Sequence, residues 1–346
     1  MNWFSVHHLD RDAKQIIGLI LLTALLYAGA GIGMAYVAGF AVVGHWLATA
    51  DWWWLAPSFG AVVLAFWGYY LAYRGIAGAE GGPQIDRPSL LAVVTAGFGG
   101  FLAQGATALD EFAMRAGGAD KREAKVRVSA LAGFEHGVLA MIVCPAAIVA
   151  VAMGLTIPRT DYTWPWAVIP PLGFGLAIWL AERYRERLRG RTRWRGRVGL
   201  FFDSIHLVWA NLRNPREHGL AVLGMAAYWG ADMFGLWAAT AAFGLHLNPL
   251  TVIIVLGTGM LFTRRTGPLG GAGIVELALI AAMWNGGDTP FAPAVLGVAA
   301  YRALTLWLPL PGALAALPKL RALGRYGEDS SGSGTPVDKG EPALQH

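Results

Sequence analysis

Long apolar stretches recur along this 346-residue chain and constrain its fold more than any other feature. A membrane-spanning α-helix needs about 20 largely apolar residues, because it must cross about 30 Å of hydrocarbon. Only 14% of the residues are charged, against about 25% in an average soluble domain. We therefore predict an all-α polytopic membrane protein with about eight transmembrane helices, at residues 15–37, 53–73, 129–152, 166–182, 217–242, 249–263, 268–284 and 292–316.

A ninth apolar stretch, residues 89–113, is glycine-rich at its centre and has basic residues on both sides. Arg87 precedes it, and a basic cluster from Arg115 to Arg127 follows it. Basic flanks favour the cytoplasmic side of a membrane, so we expect the stretch to enter and leave on one side. A re-entrant hairpin fits this pattern, provided that protein covers its non-helical backbone.

The basic residues between the predicted spans fall on one side of the membrane when the spans are threaded in order. By the positive-inside rule, both termini are then cytoplasmic. The loops on the opposite side carry tryptophans at 52–54, 164 and 166, which is typical of an aromatic belt at the membrane interface. The arginine-rich segment 183–197 is interpreted as a cytoplasmic loop rather than a nucleic-acid site.

The chain is predicted to form one transmembrane domain, residues 1–323, in two halves. The first half covers about 1–182 and the second about 217–323. A basic linker, 183–216, joins them and carries an amphipathic helix that we place on the cytoplasmic membrane surface. Residues 324–346 are polar and rich in glycine, serine and proline, which predicts a disordered tail.

Two segments, 105–140 and 271–307, resemble each other. Each begins with Gly-Ala, continues through an acidic residue and a Gly-Gly pair, and reaches a charged residue in the next helix. That residue is Glu135 in the first segment and Arg302 in the second. Broken, glycine-rich apolar segments in both halves indicate transporter-type inverted repeats, so the chain is predicted to contain two broken-helix halves of this kind.

Six ionisable residues interrupt the apolar stretches, where a charge at the centre of a membrane helix costs about 2.5–3.5 kcal/mol. They are Asp110, Glu111, Glu135, Asp232, Glu276 and Arg302. Glu276 lies eight residues into its predicted span, and Arg302 enters the next span from the other side. The two are predicted to pair near the membrane midplane, either to fix helix contacts or as part of a polar pathway.

A proline- and glycine-rich turn precedes Glu276. Pro268, Gly270, Gly271 and Gly273 allow the backbone to turn and a helix to begin inside the membrane. The first amide groups of a helix attract phosphate or carboxylate groups. Arg264 and Arg265 stand just before this turn. Together these residues predict an anion site, although a basic loop with a tight turn is the alternative.

Cofactor and metal chemistry find no support in the sequence. The single cysteine, Cys144, excludes a disulfide within the chain. His136, His206, His218 and His246 show no metal-ligand spacing with one another. Neither GxSxG nor HExxH occurs, and no ATP-binding loop is present. We therefore expect no metal, no cofactor and no enzymatic activity.

The stretches "GPLGGAGIVELALIAAMW" (267–284) and "AYRALTLWLPLPGAL" (300–314) resemble the C-terminal hallmark of the lysylphosphatidylglycerol synthase transmembrane-region family. That family includes the flippase domain of the multiple peptide resistance factor and stand-alone proteins of the bacterial inner membrane. This chain departs from the family pattern by Leu269, which separates the proline from the glycines, and by a first half that lacks the prolines common in relatives.

The resemblance implies a flippase-like translocator in the plasma (inner) membrane of a bacterium. Its substrate would be a phospholipid or a polyprenyl-phosphate-type lipid, and it would lack synthetase activity. Two alternatives remain open: a membrane enzyme acting on a lipid-linked phosphate or sugar, and a small-solute transporter or partner of an envelope enzyme. A homodimer is also compatible with the sequence.

Overall fold

The computed structural model of the protein describes residues 13–98, 106–154, 159–188, 193–260, 273–286 and 289–332. These residues form helices and contain no strand. The α-helices are Ala13–Ala38 (α1), Phe40–Ala48 (α2), Leu55–Gly78 (α3), Arg87–Phe98 (α4), Ala106–Ala116 (α5), Lys121–Ala152 (α6), Arg159–Leu188 (α7), Arg193–Arg213 (α8), Pro215–Ala241 (α9), Pro249–Gly259 (α10), Ile274–Gly286 (α11), Phe291–Arg302 (α12) and Leu310–Gly332 (α13).

Within the described residues, six helical segments are long and apolar enough to cross a membrane. They are Ile20–Ala38, Trp52–Gly81, Lys121–Ala152, Thr163–Tyr184, Gly219–Ala241 and Phe291–Leu323. Each coincides with one of the predicted spans, and large apolar side chains are exposed along several of them. The protein is therefore an all-α, multi-pass membrane protein, as the sequence predicts.

The remaining two predicted spans, 249–263 and 268–284, coincide with shorter helices. The helix α10 has 11 residues and α11 has 13, so at about 1.5 Å per residue each covers roughly 15–20 Å. Neither is long enough to cross about 30 Å of hydrocarbon by itself. Because α10 and α11 contact each other, this part of the second half consists of two short apolar helices side by side.

The predicted hairpin at 89–113 corresponds to α4 and α5, which contact each other. The backbone N–H of Gln84, just before α4, donates to the carbonyl of Gly117, just after α5, at 3.2 Å. The two ends of the segment therefore meet, as a hairpin that enters and leaves on one side requires. The helix α13 packs against both short helices.

The core of the bundle is the seam between α3 and α9, the most extensive helix pair among the described elements. Gly68 of α3 and Gly224 of α9 face each other so closely that an added Cβ on either would lie 2.6 Å from the carbonyl oxygen of the other. Small residues at such crossings let membrane helices approach and gain close contacts.

The structure adds detail to two predicted segments. The predicted amphipathic helix of the basic linker is α8, which begins at Arg193 and packs against α6 and α7. Arg122 of α6 pairs with Asp203 of α8 at 2.5 Å, which fixes this contact. The predicted disordered tail begins at 324, but α13 continues to Gly332.

Candidate functional site

Glu276 lies at the centre of the candidate site. Its carboxylate accepts hydrogen bonds from the hydroxyl of Tyr27, from the backbone N–H of Gly273 at 2.6 Å and from Nε of Arg302 at 2.5 Å. The side chains of Glu276 and Arg302 are only 10% and 9% exposed. The predicted ion pair is confirmed. With the hydrogen bond from Tyr27, it joins α1, α11 and α12.

The first turn of α11 explains why Glu276 is positioned there. Gly273 caps the helix in the left-handed region, with φ +83°, a conformation that glycine adopts without steric cost. Glu276 is the third residue of α11 and bonds back to the N–H of this cap, in the manner of a capping box. The sequence places Glu276 eight residues into a span, whereas the described helix starts at Ile274, directly after this left-handed glycine.

Arg302 is the last residue of α12 and lies next to an irregular turn. Residues Ala303–Trp307 form a π-helix, in which the N–H of Leu308 donates to the carbonyl of Ala303 at 3.0 Å. Such a turn contains one extra residue, and π-turns inside α-helices are frequent at functional sites. Arg302 therefore lies where the α-helix changes to a π-helix.

A cavity of about 70 Å³ lies between α3, α4, α6, α9, α11 and α12. Most of its lining is apolar, but Glu135, Asp232, Tyr301 and Arg302 also line it, and for these groups we name it the polar cavity. Glu135 is completely buried. The hydroxyl of Tyr301 donates to Asp232 at 2.7 Å, and the indole N–H of Trp229 donates to the backbone carbonyl of Glu135 at 2.8 Å. Three of the predicted site residues, Glu135, Asp232 and Arg302, therefore share one cavity.

An apolar groove of about 660 Å³ lies on the other side of the ion pair, between α1 and the pair α11–α12. Small residues of α1, Ala30, Gly31 and Gly33, leave this space open. Tyr27 and Glu276 supply the polar groups of the groove, and the rest of its lining is almost entirely aliphatic and aromatic. A volume of this size falls within the range of ligand pockets in proteins.

Charged side chains from several helices meet at and beside the cavity. Glu135 and Asp232 line it together with Arg302, and Glu276 contacts the guanidinium of Arg302 from the side of the groove. Buried charges in a low-dielectric interior interact strongly, so a change at one of these groups is felt by the others.

The other predicted site residues lie elsewhere. Asp110 and Glu111 are on α5, and neither lines the cavity or the groove. The ring nitrogen Nδ1 of His136 hydrogen-bonds the carbonyl of Ala132 in its own helix, at 2.9 Å. Five residues of the predicted anion site lie outside the described residues: Arg264, Arg265, Pro268, Gly270 and Gly271.

Two tyrosines of the site were not predicted from the sequence. Tyr27 bonds Glu276 and packs edge-on against Trp307, with ring centroids 5.4 Å apart. Tyr301 bonds Asp232. The sequence gives little indication of their role. A tyrosine in an apolar helix resembles any other aromatic residue until the hydrogen-bond partner of its hydroxyl group is known.

The described residues contain no group of three or more histidine, cysteine, aspartate or glutamate side chains arranged to hold a metal ion. No family model matches the chain, and neither a curated protein nor a solved structure resembles it closely enough to count as a match.

Proposed function

We propose that this protein translocates a phospholipid or another lipid-linked anion between the leaflets of the bacterial inner membrane, without synthetase activity. One observation carries the proposal: the Glu276–Arg302 ion pair separates a polar cavity from an apolar groove. A lipid is itself a polar headgroup joined to apolar chains. The two spaces provide an environment for each part of such a molecule.

The ion pair is built so that Arg302 can exchange partners. Glu276 also accepts hydrogen bonds from Tyr27 and from the N–H of Gly273, so it keeps two donors when the guanidinium moves away. A buried charge that lost its only partner would be strongly destabilised, and these donors reduce that cost. Arginine binds phosphate oxygens in the same planar geometry as carboxylate oxygens, so a phosphate can take the place of Glu276.

The groove beside α1 suits a hydrocarbon chain. Its α1 wall includes the small residues Ala30, Gly31 and Gly33, and its opposite wall includes Leu277, Ile280 and Phe291. In this proposal the chain occupies the groove while the headgroup passes Arg302. The short helices α4 and α5 in the first half, and α10 and α11 in the second, support an arrangement of two inverted broken-helix halves, with both termini in the cytoplasm.

The test is a leaflet assay with purified protein in liposomes that contain a fluorescent phosphatidylglycerol. A membrane-impermeant quencher measures how fast the labelled lipid crosses. We expect wild-type protein to accelerate crossing above protein-free liposomes, and Arg302→Ala to reduce it by at least tenfold. The matched control is Arg74→Ala, which removes an exposed arginine of α3 and should leave the rate unchanged.

A variant that loses both charges separates function from folding. Glu276→Gln combined with Arg302→Met removes both members of the ion pair together, and replacing a buried ion pair by neutral groups is often tolerated. We expect this variant to elute as a monodisperse species and still fail to move lipid. The proposal is refuted if wild-type protein moves no labelled lipid, or if both site variants move it at the wild-type rate.

A further inference from the structure

We propose that the apolar groove is a binding site for one hydrocarbon chain of a lipid, which lies lengthwise along α1, and that Gly31 keeps this site open. The inference rests on the proposed function for the identity of the headgroup. It names the class of substrate, a lipid anion with a chain that reaches across one leaflet. A translocator that recognises only the headgroup would have no need of such a site.

The helix α1 contacts the rest of the bundle near both ends of the groove. Ile20 and Tyr27 pack against two buried leucines, one in the π-helix and one in α13. At the other end, Gly39, with φ +88°, joins α1 to α2, and α2 contacts α12. Gly31 and Gly33 lie between these two regions and line the groove. Because glycine has no side chain, both positions leave room beside α11 and α12.

The groove is as long as one leaflet of a membrane is thick. On α1 its lining runs from Tyr27 to Val37, a rise of roughly 15 Å at about 1.5 Å per residue. Half of a hydrocarbon core of about 30 Å is likewise about 15 Å, which is the depth that a lipid chain fills in its own leaflet. The groove volume of about 660 Å³ corresponds to on the order of 20 methylene groups, if each is about the size of a water molecule, about 30 Å³. These dimensions match one chain of a membrane lipid.

The groove has a polar end and is open to the membrane. At the polar end, the hydroxyl of Tyr27 bonds Glu276, which pairs with Arg302. Two apolar residues of the lining, Val37 and Leu277, are 75% and 63% exposed, so the groove is continuous with the surface that faces lipid in a membrane. Apolar cavities exclude water and bind apolar molecules. A lipid with its headgroup at Arg302 would therefore place a chain in the groove.

The groove selects chains by the space that it offers. Lipid tails are as apolar as leucine side chains, so a chain gains little hydrophobic free energy by leaving the bilayer for the groove. Among the described residues, no atom lies within 4 Å of a Cβ added at Gly31. A larger side chain there enters the groove without displacing a neighbouring helix. Because Gly31 lies roughly 6 Å from Tyr27 along the helix axis at about 1.5 Å per residue, such a side chain shortens the groove to less than half.

The experiment uses the full-length protein in phosphatidylcholine liposomes with a trace of phosphatidylglycerol that carries a photoreactive diazirine in one chain. One probe has the diazirine near the headgroup, and a second probe has it near the methyl end of the same chain. Labelled peptides are identified by mass spectrometry after illumination. We expect the first probe to label the groove near Tyr27 and the second to label it near Val37. Labelling at Leu172, an exposed residue of α7, measures the contact that any lipid makes with the protein, and labelling in the groove should exceed it.

Two leucine substitutions on α1 provide the matched comparison. Gly31→Leu should reduce labelling by the methyl-end probe near Val37 roughly tenfold, the lower end of the discrimination that a hydrophobic pocket achieves, and keep labelling by the other probe. Gly29→Leu is the control, because a Cβ added there also has no described atom within 4 Å. Gly29 does not belong to the described lining of the groove, and at 3.6 residues per turn it lies roughly on the opposite side of α1 from Gly31. This variant should label as wild type does.

The outcomes separate the chain site from translocation. If the groove is labelled no more than Leu172, or if both probes label the same positions, the chain site is overturned. Equal labelling of the two leucine variants overturns the role of Gly31. If the groove is labelled as expected but no lipid crosses in the leaflet assay, the proposed function fails while the chain site stands. The comparison of the two probes on wild-type protein decides on the site even where a variant does not fold.

Discussion

Substituting Gly68 by alanine tests whether the close approach of α3 and α9 holds the bundle together. An added Cβ at this position would lie 2.6 Å from the carbonyl oxygen of Gly224 and 2.7 Å from the backbone nitrogen of Tyr228. Ordinary contacts of a Cβ atom begin at 3.4 Å. Both clashing atoms belong to the backbone of α9, so no side-chain rotation can relieve the overlap.

Relief requires the two helices to separate by about 0.8 Å, the difference between the clash and an ordinary contact. A gap of that size removes roughly a quarter to a half of the dispersion energy of the contacts it opens. Overpacking of this kind costs about 1–3 kcal/mol, partly offset by the higher helix propensity of alanine, worth up to about 1 kcal/mol. We expect Gly68→Ala to lower the free energy of unfolding by about 1–2 kcal/mol.

The assay is thermal unfolding in detergent, in which the fraction of protein that remains monodisperse is measured as a function of temperature. Gly60→Ala is the matched control, because it lies in the same helix with nothing within 4 Å of the added Cβ; it should leave stability unchanged or raise it. Gly68→Ala should also slow lipid crossing, since Ala65 and Tyr228 of the same seam line the cavity. Equal effects of the two substitutions would refute the reasoning.

Three further predictions concern single contacts. Glu276→Gln or Arg302→Met alone should each cost about 3–5 kcal/mol, because the partner loses its counter-charge in a buried site; in thermal unfolding, the double variant should be more stable than the sum of the two losses. Tyr27→Phe removes a hydrogen bond to a carboxylate, so amide hydrogen exchange in α1 should accelerate by roughly tenfold or more, whereas exchange in α9 should not change. Hydrogen bonding from Ser89 lowers the pKa of Asp86, the residue that caps α4, below its ordinary value. The capping bond therefore stabilises α4 fully at pH values above the ordinary pKa, and this stabilisation is lost as the pH falls through the lowered pKa. In unfolding curves recorded from about pH 6 to about pH 3, Asp86→Asn should remove this loss of stability at acid pH.

Hydropathy predicts the six long helices because a helix surrounded by lipid must be apolar on nearly every face. The same measure does not distinguish a span from a shorter helix at 249–263 and 268–284, where the described residues form α10 and α11, since a short apolar helix within a bundle has the same composition as part of a span. The start of α11 is set by the backbone conformation of Gly273. No pattern of apolar residues encodes such a conformation.

The sequence predicts part of the candidate site, and the reason is again physical. A charge inside an apolar stretch is costly and stands out, so Glu135, Asp232, Glu276 and Arg302 could be selected from the sequence. The partners Tyr27 and Tyr301 could not, because a tyrosine in an apolar helix carries no comparable penalty. The contact of α8 with α6 was also missed, since an amphipathic helix has the same pattern whether it rests on lipid or on protein.

The bond between Glu276 and the N–H of Gly273 makes the backbone of α11 a reporter of what happens at Arg302. A ligand that draws the arginine away from the carboxylate also changes how firmly this carboxylate holds the amide of Gly273, which caps the helix. Helix ends are the positions that fray most readily when a cap is lost. Occupancy of the site is thereby linked to the order of one helical turn, and a single amide resonance at Gly273 would register substrate without any label on the lipid.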